Sequence, residues 1–153
     1  MNSLNTLQID KKLENIHGFL GAFPYDELPK SRRKLFSLVV NTSSSHEPGD
    51  HWLALVYRNN AYYFLDSYGR DITDMTFPEE FKEAIKRYVG GEKILYNRKI
   101  LQQILSNACG DYAIYFVRMF SSGDSLKKSL TVFTDNLKYN DVYVTNFVKH
   151  LMN

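Results

Sequence analysis

Two apolar runs of strand length, Trp52 to Tyr57 and Ala61 to Asp66, are separated only by Arg58-Asn59-Asn60. A connection that short directs the runs into a tight antiparallel hairpin, and asparagine tolerates the positive φ that such a turn demands. Chemistry frames this hairpin. His51 stands immediately before its first strand and Asp66 closes its second. An imidazole and a carboxylate therefore lie on neighbouring strands near the same end, within reach of each other.

The rest of the chain is mixed. Leu7, Ile9, Leu13 and Ile16 give a short N-terminal helix over Leu7 to Ile16, and Gly18 to Pro29, rich in Gly, Pro and aromatics, reads as a loop. Leu35 to Val40 has strand length and is followed by a polar connection over Asn41 to Asp50. Pro78 to Val89 carries Pro in its first turn, Glu79, Glu80 and Glu83 early, Lys86 and Arg87 late, and Gly90-Gly91 as terminator, which together signal a surface helix. Lys93 to Tyr96 adds a strand. Ala113, Phe116, Val117 and Phe120 recur at helical spacing from Cys109 until Gly123, so Cys109 falls in the first turn of a buried helix. Amphipathic segments over Ser125 to Leu137 and Asp141 to Leu151 complete the chain. The expectation is an α+β domain with a small, mostly antiparallel sheet packed by helices.

With 153 residues, 44% of them hydrophobic, the chain suffices for one cored domain spanning 1–153. Lys and Arg exceed Asp and Glu by only 19 to 17, too weak a bias to argue for nucleic-acid binding by itself. The apolar runs are broken by Arg58, Asp66 or Arg118 well short of a membrane span. One cysteine cannot form an internal disulfide, and Met1-Asn2-Ser3-Leu4-Asn5 has no secretory pattern. The expectation is a soluble, intracellular protein without membrane partners. No His or Cys pair has metal-ligand spacing, so neither metal nor other cofactor is expected.

That single cysteine lies in Gln102-Gln103-Ile104-Leu105-Ser106-Asn107-Ala108-Cys109-Gly110, where a loop turns into the helix. The thiolate is the attacking form of cysteine, and it is favoured by a positive helix end and a neighbouring imidazolium. Cys109 has the first and His51 can supply the second. Asp66 can fix the tautomer and orientation of the imidazole. The Cys109 backbone N–H and a glutamine carboxamide can receive the oxyanion. Singly, each residue has a plainer reading: a small buried hydrophobe, a hydrogen-bonded structural histidine, a turn-forming aspartate, polar loop glutamines. Their joint order in matched strand and helix contexts favours catalysis. His46 sits in the polar connection and is read as solvated, and His17 and His150 have no motif around them.

The order His-Trp, strand-terminal acid, then Gln, six residues and Cys-Gly resembles adenain, the maturation protease of adenoviruses, with its relatives in Maverick/Polinton elements and virophages. Phe19-Leu20-Gly21, Val40-Asn41-Thr42, Gly49-Asp50-His51-Trp52 and Asp66-Ser67-Tyr68-Gly69 extend the resemblance over about Gly18 to Phe120. It implies an adenain/Ulp-like fold with papain-like site geometry in a different chain order. It also implies Cys109 as nucleophile, His51 as general base and acid, Asp66 as the orienting member and Gln102 as oxyanion donor. Gln103 is the alternative donor, because SUMO-directed relatives place the glutamine one residue nearer the cysteine. Trp52 and Gly110 are implied to line the substrate channel. The implied function is a viral or transposon-encoded endopeptidase that processes capsid or core precursors after small, Gly-containing sequences, within the infected cell (viral factory, cytoplasm or nucleus) or packaged in the virion.

Three departures stand out. The third member is Asp where adenoviral enzymes use Glu; the one cysteine leaves none for a disulfide-linked activator, so only noncovalent peptide activation is compatible; and Asp111 follows Cys-Gly where relatives carry an apolar residue. Nucleic acid as a partner would rest on Lys30-Ser31-Arg32-Arg33-Lys34, which reads more simply as a solvated loop. The competing functions are a Ulp-type isopeptidase acting on ubiquitin or SUMO and a non-catalytic interaction scaffold.

Overall fold

The computed structural model describes residues 3–151. In chain order the elements are α1 (Thr6–Leu13), β1 (Phe19–Pro24), β2 (Phe36–Asn41), β3 (Trp52–Arg58), β4 (Ala61–Leu65), α2 (Glu79–Val89), β5 (Lys93–Tyr96), α3 (Cys109–Ser121), α4 (Leu126–Leu130) and α5 (Leu137–Lys149). The strands form one sheet in sequence order, antiparallel at its centre (β2 with β3, β3 with β4) and parallel at both edges (β1 with β2, β4 with β5). The β3–β4 hairpin closes through Asn59 and Asn60 at φ 54° and 60°, the two left-handed residues of a tight hairpin turn.

Strand alternation divides the core. Trp52, Ala54 and Val56 of β3 join α1, α3 and α5 in one apolar cluster, whereas Leu53 and Leu55 join Phe81, Ile85 and Val89 of α2 in the other. The sheet is therefore covered on both faces. All six residues of β2 are buried for this reason, and the strand reads as a continuous apolar run. Most of α3 is buried as well, and Arg58 closes its far end by donating to the carbonyls of Phe120 (3.3 Å) and Asp124 (2.7 Å).

Three segments differ from the sequence reading. The expected loop from Gly18 to Pro29 contains β1. An edge strand accommodates Gly21, at φ 132°, and Pro24, which has no N–H to donate, and these residues disguised it. The expected helix over Ser125 to Leu137 is only the short α4, because the Asn140 carboxamide bonds both N–H and carbonyl of Thr134 and holds a turn there. Finally, α5 begins at Leu137 rather than Asp141, with the Asn136 side chain accepting from Tyr139 N as its cap. Among the described residues, no helix is long and apolar enough to cross a membrane.

Candidate active site

His51 precedes β3 and Asp66 follows β4, so the hairpin register delivers both to one end of the sheet. Their side chains meet: His51 Nε2 lies 2.6 Å from Asp66 Oδ1, and both residues are buried. Cys109 is the first residue of α3, which packs across the same sheet, and its side chain hydrogen-bonds the His51 imidazole. With Nε2 engaged by Asp66, Nδ1 is the ring nitrogen left for the thiol. Three residues separated by up to 58 positions in sequence thus form one line, carboxylate to imidazole to sulfur.

The electrostatics follow from this line. Burial alone would lower the His51 pKa, but the hydrogen bonds to Asp66 and Cys109 and the negative charge at both outweigh it, pushing the value up to about 9. Asp66 shows the opposite balance. Burial would raise it, while hydrogen bonds and charge from His51 and Arg70 hold its carboxyl below the usual carboxylate range. An imidazolium and a carboxylate therefore share the closed end of the sheet. Asp111, in the first turn of α3, is pushed up to about 6 by burial and by the charge of Asp141 on α5.

The two glutamines have different surroundings. Gln102 is buried: its Oε1 accepts from Ser67 Oγ and its Nε2 donates to Ser106 O (2.9 Å) and Oγ (3.2 Å), beside the start of α3. Gln103 is turned toward α5, where its Nε2 donates to Asp141 Oδ2 at 3.1 Å. Leu101 N and Gln102 N both donate to Ser67 O, which ties this segment to the residue after Asp66. Trp52 is nearly buried, with Nε1 donating to Leu4 O at 2.9 Å. A Cβ added at Gly110 would stand 3.2 Å from Leu4 Cβ and 3.5 Å from Trp52 Cδ1. The surface beside the nucleophile is thus crowded by Leu4 and Trp52. A groove of about 640 Å³ lined by Leu4, Leu105, Ala108, Asp111, Asp141 and Val142 opens next to it.

Several residues of this site take no role from the sequence alone, although Tyr68 lies within the Asp66-Ser67-Tyr68-Gly69 motif. Tyr68 stacks on His51 with ring centroids 5.3 Å apart and donates from its hydroxyl to Gln103 O at 3.3 Å. Arg70 donates from Nε to Asp66 Oδ2 at 2.7 Å. Asn97, just after β5, bonds the backbone of Asp66. Each lies near a recognisable residue in space, although only Tyr68 and Arg70 are also near one in sequence. His46, His17 and His150 are exposed and lie outside the cluster, and the basic residues Lys30, Arg32, Arg33 and Lys34 are exposed on the loop before β2. Among the described residues, no group of three or more His, Cys, Asp or Glu is placed to hold a metal ion.

No protein-family model matches the chain. Among curated proteins, "Putative thiol protease R355" of Acanthamoeba polyphaga mimivirus is 26% identical over 146 residues, covering 81% of this chain and 48% of that protein. "Protease" of Bovine adenovirus 7 is 25% identical over 119 residues, covering 71% of this chain and 58% of that protein. The chain spans about half the length of these relatives. Among solved structures, the ASFV pS273R protease superposes with a TM-score of 0.64 over 99% of this chain and 68% of its own, at 17% identity. The central domain of the uncharacterized Lpg1148 protein from Legionella pneumophila does so with a TM-score of 0.58 over 99% of this chain and all of its own, at 11% identity. The structural likeness shows a fold shared with both of these structures, and the curated relatives, named a thiol protease and an adenovirus protease, agree with the adenain-like resemblance of the sequence.

Proposed function

We propose that this chain is a viral cysteine endopeptidase that works through a Cys109–His51–Asp66 triad and an acyl-enzyme. The observation that carries the reading is the 2.6 Å pairing of His51 Nε2 with Asp66 Oδ1, on an imidazole that also hydrogen-bonds Cys109. Such an arrangement supplies a nucleophile, a proton carrier and an orienting anion in sequence.

In this reading the proton of the Cys109 thiol is held by His51 as the imidazolium while Cys109 Sγ attacks the scissile carbonyl carbon. The tetrahedral oxyanion is received by the Cys109 N–H and the Gln102 carboxamide, with Gln103 as the alternative donor. First-turn N–H groups have no partner within their own helix, which leaves that of Cys109 for the substrate. Collapse breaks the C–N bond, His51 protonates the departing amine, and a thioester remains on Cys109. Water then attacks the thioester, giving up a proton to His51, and carboxylate and thiol are released. Asp66 stays charged throughout and holds the imidazole in place.

The substrates proposed are capsid or core precursor proteins, cleaved after small residues, inside the infected host cell or the virion. Support for small residues comes from the crowding of Gly110 by Leu4 and Trp52 beside the thiol. Bulky side chains next to the scissile bond would displace these groups. The test is mass-spectrometric mapping of cuts in a proteome-derived peptide library with wild type and Cys109→Ala. Cuts that follow small residues and vanish in the variant are the expected result. Cuts that persist in the variant would refute the assignment of Cys109, and no cuts in either would remove unaided cleavage of linear peptides.

A further inference from the structure

Beyond the three residues of the triad, Asp66 has a second partner of full charge. The turn Asp66-Ser67-Tyr68-Gly69-Arg70 folds back on itself, with Gly69 N donating to Asp66 O at 2.8 Å. It brings three donors of Arg70 to one carboxylate: Nε to Oδ2 at 2.7 Å, backbone N to Oδ2 at 3.2 Å and Nη2 toward Oδ1 at 3.5 Å. Oδ1 faces His51 at 2.6 Å, so the two carboxylate oxygens are divided between imidazole and guanidinium. The guanidinium is itself fixed. Its Cζ lies 4.0 Å above the Phe77 ring and 5.4 Å from that of Tyr68, and Nη1 donates to Thr76 Oγ1 at 3.1 Å. Tyr68 in turn stacks on His51, so arginine and histidine are linked through both the carboxylate and the tyrosine ring.

We propose that Arg70 is a positioning residue of the active site: it fixes the rotamer of Asp66 with one oxygen on His51 and balances the carboxylate's charge while the imidazole gains and loses its proton. The inference rests on the triad reading and deepens it. A carboxylate with no exposed surface is costly to keep charged when its only cationic partner is an imidazole that periodically becomes neutral. A permanently charged guanidinium removes that dependence, and its planar fork sets direction as well as charge. The other charged groups are arranged compatibly. Cys109 acts on the far side of His51, Asp74 faces Arg70 through Thr76, and Asp141 reaches this region through Tyr68 and Gln103.

The test compares wild type, Arg70→Gln and Arg70→Lys over pH 4 to 10. It uses both kcat/KM on a cleaved peptide and the rate of Cys109 alkylation by iodoacetamide, which needs no substrate. Asp66 owes part of its lowered pKa to Arg70, so loss of the charge lets the carboxyl take up a proton at higher pH. In Arg70→Gln the acid limb of both profiles is expected to move up by roughly one pH unit, and the plateau of kcat/KM to fall roughly tenfold. Arg70→Lys keeps the charge and loses the fork, so it should return the limb to the wild-type position while leaving the plateau lowered. An unmoved acid limb in Arg70→Gln overturns the proposal, as does a limb moved equally by both variants. If Arg70→Gln does not fold, Arg70→Lys decides alone: a wild-type plateau or a displaced limb counts against it. A wild-type enzyme whose Cys109 alkylation shows no influence of His51→Ala would instead refute the triad itself.

Discussion

Asn97 clasps the backbone of Asp66 from both sides, its Nδ2 donating to Asp66 O at 2.7 Å and its Oδ1 accepting from Asp66 N at 3.0 Å. The pair replaces a strand ladder where β4 has ended, so the residue that orients His51 is held by a side chain from the segment following β5. Asn97→Ala leaves a buried donor and acceptor without partners and should destabilise the fold by roughly 2–4 kcal/mol. Denaturant unfolding of the variant checks this, and Asn97→Asp, which cannot donate to the Asp66 carbonyl, should recover only part of the loss.

The turn that carries Arg70 depends on Gly69. At φ 71° a side chain there would be strained, and an added Cβ would come within 2.7–2.9 Å of the backbone of Lys99. Backbone cannot yield as a flexible side chain can. Gly69→Ala should therefore cost at least about 2 kcal/mol and lower kcat/KM through displacement of Asp66 and Arg70. Thermal unfolding and peptide cleavage measured on the same preparation separate the two effects.

The contrasting environments of the glutamines lead to a kinetic expectation. Gln102 holds its amide nitrogen beside the start of α3, where it donates to Ser106, whereas that of Gln103 is turned away to Asp141 on α5. Gln102→Ala should lower kcat by roughly 10²- to 10³-fold, the loss associated with one oxyanion donor, with little change in KM. Gln103→Ala should cost much less. Steady-state kinetics showing the reverse order would transfer the role to Gln103.

Stability should depend on the His51–Asp66 pair in two pH ranges. His51 is raised from 6.5 to about 9, so its contribution is complete below about 6.5 and is lost as pH rises through about 9. Asp66 is lowered, so its contribution is present above the ordinary carboxylate value near 3.8 and is lost as pH falls below it. Denaturation midpoints of the wild type should decline on both sides, and His51→Ala should flatten the alkaline decline. Cys109→Ala, which removes two of the interactions raising His51, should start that decline at lower pH.

The hairpin and its two framing residues were legible because a short Asn-Asn turn fixes register over a few residues, and register places His51 beside Asp66. The helix beginning at Cys109 was legible from its apolar period. Edge strand β1 was not, since an edge relaxes the demands that exclude Gly and Pro from a central strand. Nor were the supports of the site. Asn97 is 31 residues from Asp66, and only the parallel pairing of β5 with β4 brings it alongside. Arg70 is close in sequence, but its value lies in a back-folded turn that no periodicity encodes. The buried state of Trp52 depends on Leu4, 48 residues away.

That last contact gives the protein an optical property. Trp52 is its single tryptophan, and its indole N–H is bonded to the Leu4 carbonyl while its ring borders Gly110, next to the nucleophile. All indole emission therefore originates at the mouth of the site, undiluted by any second fluorophore of its kind. A ligand that lifts the Leu4 segment or lies against the ring changes the solvent around that indole, so the intensity and wavelength of intrinsic fluorescence report occupancy of the site without a label.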